Sequence, residues 1–524
     1  MALDIADRLA ASRPARTDRP SLRRRIGGVF RTPFGPELRW VTMLAAFAAV
    51  VYSAVSLLRF SRFQSAGYDL GIFDQVVRQY SAFMTPYSEI KGLSYNIFGD
   101  HFHPIIASLA PLYWIWDDPR MLGIALALLM SASLYPVYLF CRTRLGHWPA
   151  FLVAAAYIFW WPIQGLVDFD FHEIAFGVPL VAWIIYALDR RRYIAVTILS
   201  VALLGVREDM GFVVMAIALV LLLRRRWKLA LALLLLGMAT YLVVTGKIIP
   251  HFNLSGNFGY WVYSGLGPTM GAAIVFIISN PLKTLTILFD HDTKQVLWAA
   301  LFLPLGLLPL GSVYVLLAAP VLLSRLLSDR PGTWSTGFQY NAILAPVLVM
   351  AAVDVLFKLM TRFPRLKPAR CWVPGFFAAT VVAGVAFVPS VFPLNKLVTG
   401  DAVTYTAHMA AQQRIVNMIP SGVCVEADDR LVPHLTNRTV VGLVGRQVDY
   451  ASWAVIDFDQ DNTGGGGDGN FTPFTGLQFK QTRGFTEVYR EDNIILLHRP
   501  YSPEPGAPER CLSPYLDGPY RPGK

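Results

Sequence analysis

The chain has 524 residues, 54% hydrophobic and only 15% charged, with a net charge of +11. Soluble domains carry nearer a quarter of their residues as charge, and several apolar runs here reach the roughly 20 residues that span a bilayer core. The basic residues stand in short clusters between those runs, at 23–25, 142–144, 190–192, 224–228 and 362–370. That spacing excludes a nucleic-acid surface and matches the positive-inside pattern of membrane proteins.

The segment 1–37 is polar and Arg-rich and lacks a signal-peptide core, which predicts a disordered cytoplasmic tail. The first apolar run, 40–59, then acts as an uncleaved anchor leading outward. The loop that follows, 60–103, carries Asp69, Asp74, Gln75, Glu89, Asp100, His101 and His103. Residues 104–116 are too short to span comfortably. Spans are predicted at 120–140, 148–166 and 174–189, with the polar run Asp168-Phe169-Asp170-Phe171-His172-Glu173 between the last two. Short helices at 193–206 and 210–223 flank Arg207-Glu208-Asp209. A span at 229–249 leads to a long external segment, 250–295, with Tyr260 and Trp261 in an aromatic cluster and an amphipathic stretch near 268–289. A hairpin of helices at 296–310 and 312–327 and two further spans at 340–360 and 372–393 complete the membrane domain, 38–394.

This gives an α-helical polytopic membrane protein of about eleven transmembrane helices. Its N-terminus is cytoplasmic, its C-terminus is extracytoplasmic, and it belongs in the plasma membrane. The basic clusters fall on one side and the acidic and His clusters on the other.

From 395 to 500 the pattern changes to alternating strand and helix. Strands are predicted at 423–426, 439–444, 452–457, 486–489 and 494–498. Helices are predicted at 408–418, 430–435 and 474–481, with a hairpin turn at 490–493. This is a small extracytoplasmic α/β domain. The run GGGGDG at 464–469 lacks the Lys-Ser/Thr of a phosphate loop. A Pro-rich tail occupies 501–524. Cys141 and Cys371 flank basic clusters, whereas Cys424 and Cys511 lie in the outer region, where a disulfide between them is feasible.

Ionisable groups near a bilayer are costly and mark function by default. Asp69 lies just past the first span, where a carboxylate serves either as a helix N-cap or as a reactive base. Asp100, His101 and His103 offer a cation or phosphate site, so a divalent cation is a possible cofactor. Asp168, Asp170, His172 and Glu173 form either an acidic ligand strip or a polar turn. Arg207 and Glu208 form either an internal ion-pair network or a phosphate contact. Tyr260 and Trp261 either stack on a sugar or anchor at the interface.

The motifs Y-D-L-G-I-F-D-Q at 68–75, G-D-H-F-H-P at 99–104, F-H-E at 171–173 and R-E-D at 207–209 resemble a bacterial family of predicted membrane proteins of unknown function related to the GT-C glycosyltransferases. The resemblance implies transfer of a sugar from a polyprenyl-phosphate donor to an extracytoplasmic glycan, lipid or protein acceptor. The reaction would be inverting, with the first-loop carboxylate, Asp69, as general base. Many GT-C members carry two adjacent acids at that position; here Leu70 follows, leaving Asp69 alone. The other readings are a lipid or glycan transporter and a non-catalytic envelope scaffold. A transporter would place its charges near the midplane, often in repeated halves, and no repeat is present.

Overall fold

The computed structural model describes residues 37–92, 95–445, 451–459 and 473–500. The basic N-terminal tail, the glycine run at 464–469, Cys511 and the tail after 500 lie outside them.

Five helices among the described residues are long and apolar enough to cross a membrane: Leu38–Ser61, Arg120–Leu145, Trp227–Phe252, Gln339–Arg362 and Ala369–Phe387. Two bent pairs, His147–Ile158 with Trp161–Val167 (40°) and Met270–Ser279 with Pro281–Ile287 (107°), raise the number to seven if each is one span. Ile174–Asp189, Tyr193–Leu204 and Met210–Leu223 stand where helices were expected, but have only 16, 12 and 14 residues. Of the roughly eleven spans expected, five to seven among the described residues are long and apolar enough to cross by themselves.

The predicted hairpin over 296–327 also takes another shape. Asp292–Phe302 gives way to three short 3-10 turns before Ala319–Leu326 resumes the helix. Pro304 and Pro309 each remove a helical donor and clash with the preceding turn. Gly306 and Leu307, at φ 62° and 57°, reverse the chain between them.

Arg120–Leu145 and Gln339–Arg362 are mostly buried and form the centre of the bundle. Leu38–Ser61, Trp227–Phe252 and Ala369–Phe387 are mostly exposed and present apolar residues such as Phe47, Leu235 and Phe376 outward, as lipid-facing helices do. At one end of the bundle lie the basic residues Arg142 and Arg144. There Arg144 pairs with Asp189 at 2.5 Å and Asp354 at 3.6 Å, and Arg142 pairs with Glu37 at 2.6 Å.

The opposite end carries the polar loops and the α/β domain. Its strands are β1 (Cys424–Ala427), β2 (Val440–Leu443), β3 (Trp453–Asp457), β4 (Thr486–Glu491) and β5 (Ile494–His498), in the sheet order β2-β1-β3-β5-β4. β1 pairs in parallel with both neighbours and is buried throughout, which explains its lack of alternation. The edge strand β4 is mostly exposed and carries Glu487, Arg490 and Glu491, charges that discourage edge-to-edge pairing. Asp492 and Asn493, at φ 46° and 62°, make a tight two-residue hairpin, shorter than the turn expected at 490–493 because β4 runs on to Glu491. One apolar core runs from the bundle into this domain, joining Leu70, Phe73 and Val77 to Val432, Leu435 and Val441. Cys424 is disulfide-bonded, while Cys141 and Cys371 are free.

Candidate functional site

Asp69 lies in a single π-helical turn, Gly67–Gly71, that runs directly into helix Ile72–Ser81. The wider turn displaces Asp69 from an N-cap position, and its side chain caps nothing. Such turns are rare and recur at functional sites. The Asp69 carboxylate meets His172 Nε2 at 3.2 Å and keeps 23% exposure, against 9% for His172. The imidazole therefore fixes the carboxylate from below and leaves its other side open.

From His172 a charged network continues through its neighbour Glu173. Glu173 is buried and accepts from Arg207 at 3.2 Å; Arg207 also grips Asp209 with two bonds of 2.8 Å. Glu208 turns the other way and takes His101 Nδ1 at 2.8 Å and the Phe102 amide at 3.1 Å. Asp100 accepts from Lys91 at 3.0 Å and from the Tyr260 hydroxyl, and the Tyr260 ring stacks on His101 with centroids 4.3 Å apart. Lys91 also donates to the Tyr68 hydroxyl at 2.7 Å. The Asp69, Asp100, 168–173 and 207–209 motifs thus join one connected polar cluster at the end of the bundle, reached from four different loops.

The electrostatics follow from burial and partners. Burial disfavours a charged His101, but Glu208, with Asp100 and Glu173 beyond it, outweighs that and pushes it up to about 9. His172 is raised in the same way: burial opposes the charge and Asp69 overcomes it. Burial dominates at His103, which is pulled down and stays neutral, packed on Phe73. Its Nδ1, like that of His172, is buried without a hydrogen-bond partner among the described residues.

Other predicted site residues serve as braces. Asp74 is fully buried, pairs with Arg78 at 3.0 Å and accepts from the Tyr113 hydroxyl at 2.7 Å, so it faces the core. Gln75 ties the loop to the α/β domain by donating to the Val441 carbonyl at 2.8 Å. Asp168 pairs with Lys396 at 2.8 Å and Arg59 at 3.4 Å. Asp170, at a φ of 98° that disfavours any side chain, is held there by Ser65 Oγ at 2.7 Å, the Ala66 amide at 3.2 Å and Arg59 at 3.4 Å. Trp261 is turned into its own loop, donating to the Gly267 carbonyl at 2.8 Å.

The candidate metal set also separates. His101 goes to Glu208, Asp100 to Lys91 and Tyr260, and His103 to the aromatic core. Among the described residues no three His, Cys, Asp or Glu side chains are grouped to hold an ion.

Two residues join the site that sequence reading passed over. Lys91 is the single lysine of the first loop and neutralises Asp100. Arg325, within electrostatic range of Arg207, is buried, and its partners are all neutral: Asn341 Oδ1 and the Thr333 carbonyl at 2.8 Å, with the Tyr340 and Ser335 carbonyls at 3.3 and 3.4 Å. An arginine inside an otherwise apolar run was the available signal for it.

The bundle, with its α/β domain at one end, shares its fold with a structure solved for another protein. The crystal structure of ArnT from Cupriavidus metallidurans bound to undecaprenyl phosphate is similar, with a TM-score of 0.51 over 87% of this chain and 97% of that chain. At 14% identity the likeness is one of fold. The chain belongs to the family described as predicted membrane protein (DUF2079), whose model matches residues 59–463, from the end of the first span through the α/β domain to just past β3. No curated protein matches the sequence.

Proposed function

We propose that this protein is an inverting membrane glycosyltransferase that moves a sugar from a polyprenyl-phosphate donor to an extracytoplasmic acceptor, with Asp69 as general base. The observation that carries the reading is the setting of Asp69. It is the one acid of the cluster both oriented by an imidazole and open on its other side, directly beyond the first long apolar helix. The acceptor hydroxyl gives its proton to Asp69 as its oxygen bonds to the anomeric carbon. The bond from that carbon to the lipid phosphate breaks, and the electron pair leaves with the phosphate. That growing charge favours preorganised cations. His101 is cationic at neutral pH, Arg207 stands beside it, and Arg325 is a buried guanidinium without a carboxylate partner among the described residues. The undecaprenyl phosphate bound to the similarly folded ArnT supports a polyprenyl-phosphate donor.

The test is Asp69→Asn in the full chain reconstituted in lipid nanodiscs. Lipid-linked sugars extracted from the source cells serve as the labelled donor pool, with envelope glycans as acceptors. The variant keeps the shape of the carboxylate and loses its basicity, so transfer falls by about 10²-fold or more while the melting temperature holds. Undiminished transfer would remove Asp69 as the base. Movement of labelled lipid across sealed vesicles without a new glycosidic bond would favour a transporter.

A further inference from the structure

The inference concerns Asp429 in the α/β domain. The carboxyl ends of parallel strands are where open α/β sheets place functional residues. Here β1 ends at Ala427 and runs into Asp428 and Asp429. That edge of the sheet lies against the turn bearing Asp69. The Gly67 amide donates to the Asp429 carbonyl at 2.7 Å, and the Tyr68 amide donates to Asp429 Oδ1 at 2.8 Å.

Gly67 and Tyr68 open the π-helical turn, and the first amides of any helical segment have no acceptor within it. Such amides are ordinarily satisfied by a cap a few residues away. In this chain a residue 361 positions from Tyr68 satisfies them. The fit is close: a Cβ on Gly67 would stand 2.6 Å from Val432 Cβ and 2.9 Å from the Asp429 carbonyl oxygen. On the opposite side Asp170 holds Ser65 and Ala66, so the turn is clamped between two carboxylates from distant segments.

We propose that Asp429 is a positioning residue that fixes the Asp69 turn, so that the α/β domain completes the site instead of standing apart as a separate module. The catalytic consequence rests on the reading of Asp69 as base; the clamp itself does not. Burial pushes Asp429 up to about 6, opposed by the Tyr68 amide and reinforced by the nearby charge of Asp69. The Tyr68 bond holds this carboxyl group in place against the turn that bears Asp69.

The experiment uses the full chain in nanodiscs and has two readouts. The first is hydrogen exchange at the Tyr68 amide, which needs no substrate. In the wild type this amide is protected; an unprotected Tyr68 amide overturns the proposal without any variant. Asp429→Ala removes the side-chain acceptor and speeds exchange of that amide by about tenfold or more, the scale of one charge-assisted hydrogen bond. Asp429→Asn retains an acceptor oxygen and restores most of the protection.

The second readout is transfer kinetics. A displaced base lowers kcat with little change in the donor KM, and the Asn variant recovers most of the kcat lost in the Ala variant. Equal protection in the Ala variant and the wild type, or a change confined to KM, overturns the proposal. Loss of protection in Asp429→Ala together with full transfer in Asp69→Asn would keep the clamp and discard the base.

Discussion

The His101–Glu208 pair makes the reading quantitative. Replacing Glu208 by Gln keeps the shape of the partner and removes its charge. His101 is raised from 6.5 to about 9 although burial alone would lower it. Each pKa unit is worth 1.36 kcal/mol, so a rise of about 2.5 units favours the imidazolium by about 3 kcal/mol. If the imidazolium stabilises the departing phosphate, kcat/KM in the wild type declines only as the pH approaches about 9. In Glu208→Gln, burial is left with weaker opposition and the basic limb moves down from about 9 toward neutral pH.

Stability follows the same sign. A group raised above its unfolded value contributes fully below pH 6.5, and that contribution is lost as the pH rises through about 9. The wild type therefore shows a falling melting temperature over that window, and the fall is smaller in the variant, where His172, raised by Asp69, still contributes. The assays are transfer rates and thermal unfolding from pH 5 to 10. A basic limb that stays in place in the variant would refute the assignment of His101 as the leaving-group cation.

Two further outcomes follow. Asp74→Ala takes from the buried guanidinium of Arg78, which also pairs with Asp117, its carboxylate at 3.0 Å and leaves the buried Tyr113 hydroxyl without its Asp74 acceptor, a loss of about 1–3 kcal/mol. The melting temperature falls by several degrees, whereas an unchanged melting curve would assign Asp74 a role outside the core. Cys371 is free and exposed beside the basic run at 362–370, and Cys141 is free and buried. An impermeant maleimide applied to sealed, intact protoplasts leaves Cys371 unlabelled until the membrane is lysed; labelling before lysis would invert the orientation.

Much of this molecule was legible from local pattern alone. Outside 296–327, the apolar runs mark most of the helices to within several residues, because burial in lipid depends on the summed hydropathy of neighbouring residues. The five strands, the helix Ala407–Met418 and the turn at Asp492 and Asn493 were readable for the same reason: periodicity and turn chemistry belong to adjacent residues. The motifs at 68–75, 99–104, 171–173 and 207–209 could be singled out as costly near a membrane. Their partners could not be assigned. Spacing sets Asp69 apart from Asp74 as base and structural partner, but only the fold shows that one is partly open beside His172 and the other sealed against Arg78 and Tyr113.

Span length was likewise undecided by hydropathy, which does not distinguish a full crossing from a short apolar helix packed inside the bundle, as at Ile174–Asp189. The pairing of Asp69 with His172, of His101 with Glu208 107 positions away, and of Tyr68 with Asp429 361 positions away was decided only by the folded chain. A hydrogen bond or an ion pair depends on distance and desolvation between two groups, and those quantities exist only once the chain has brought them together.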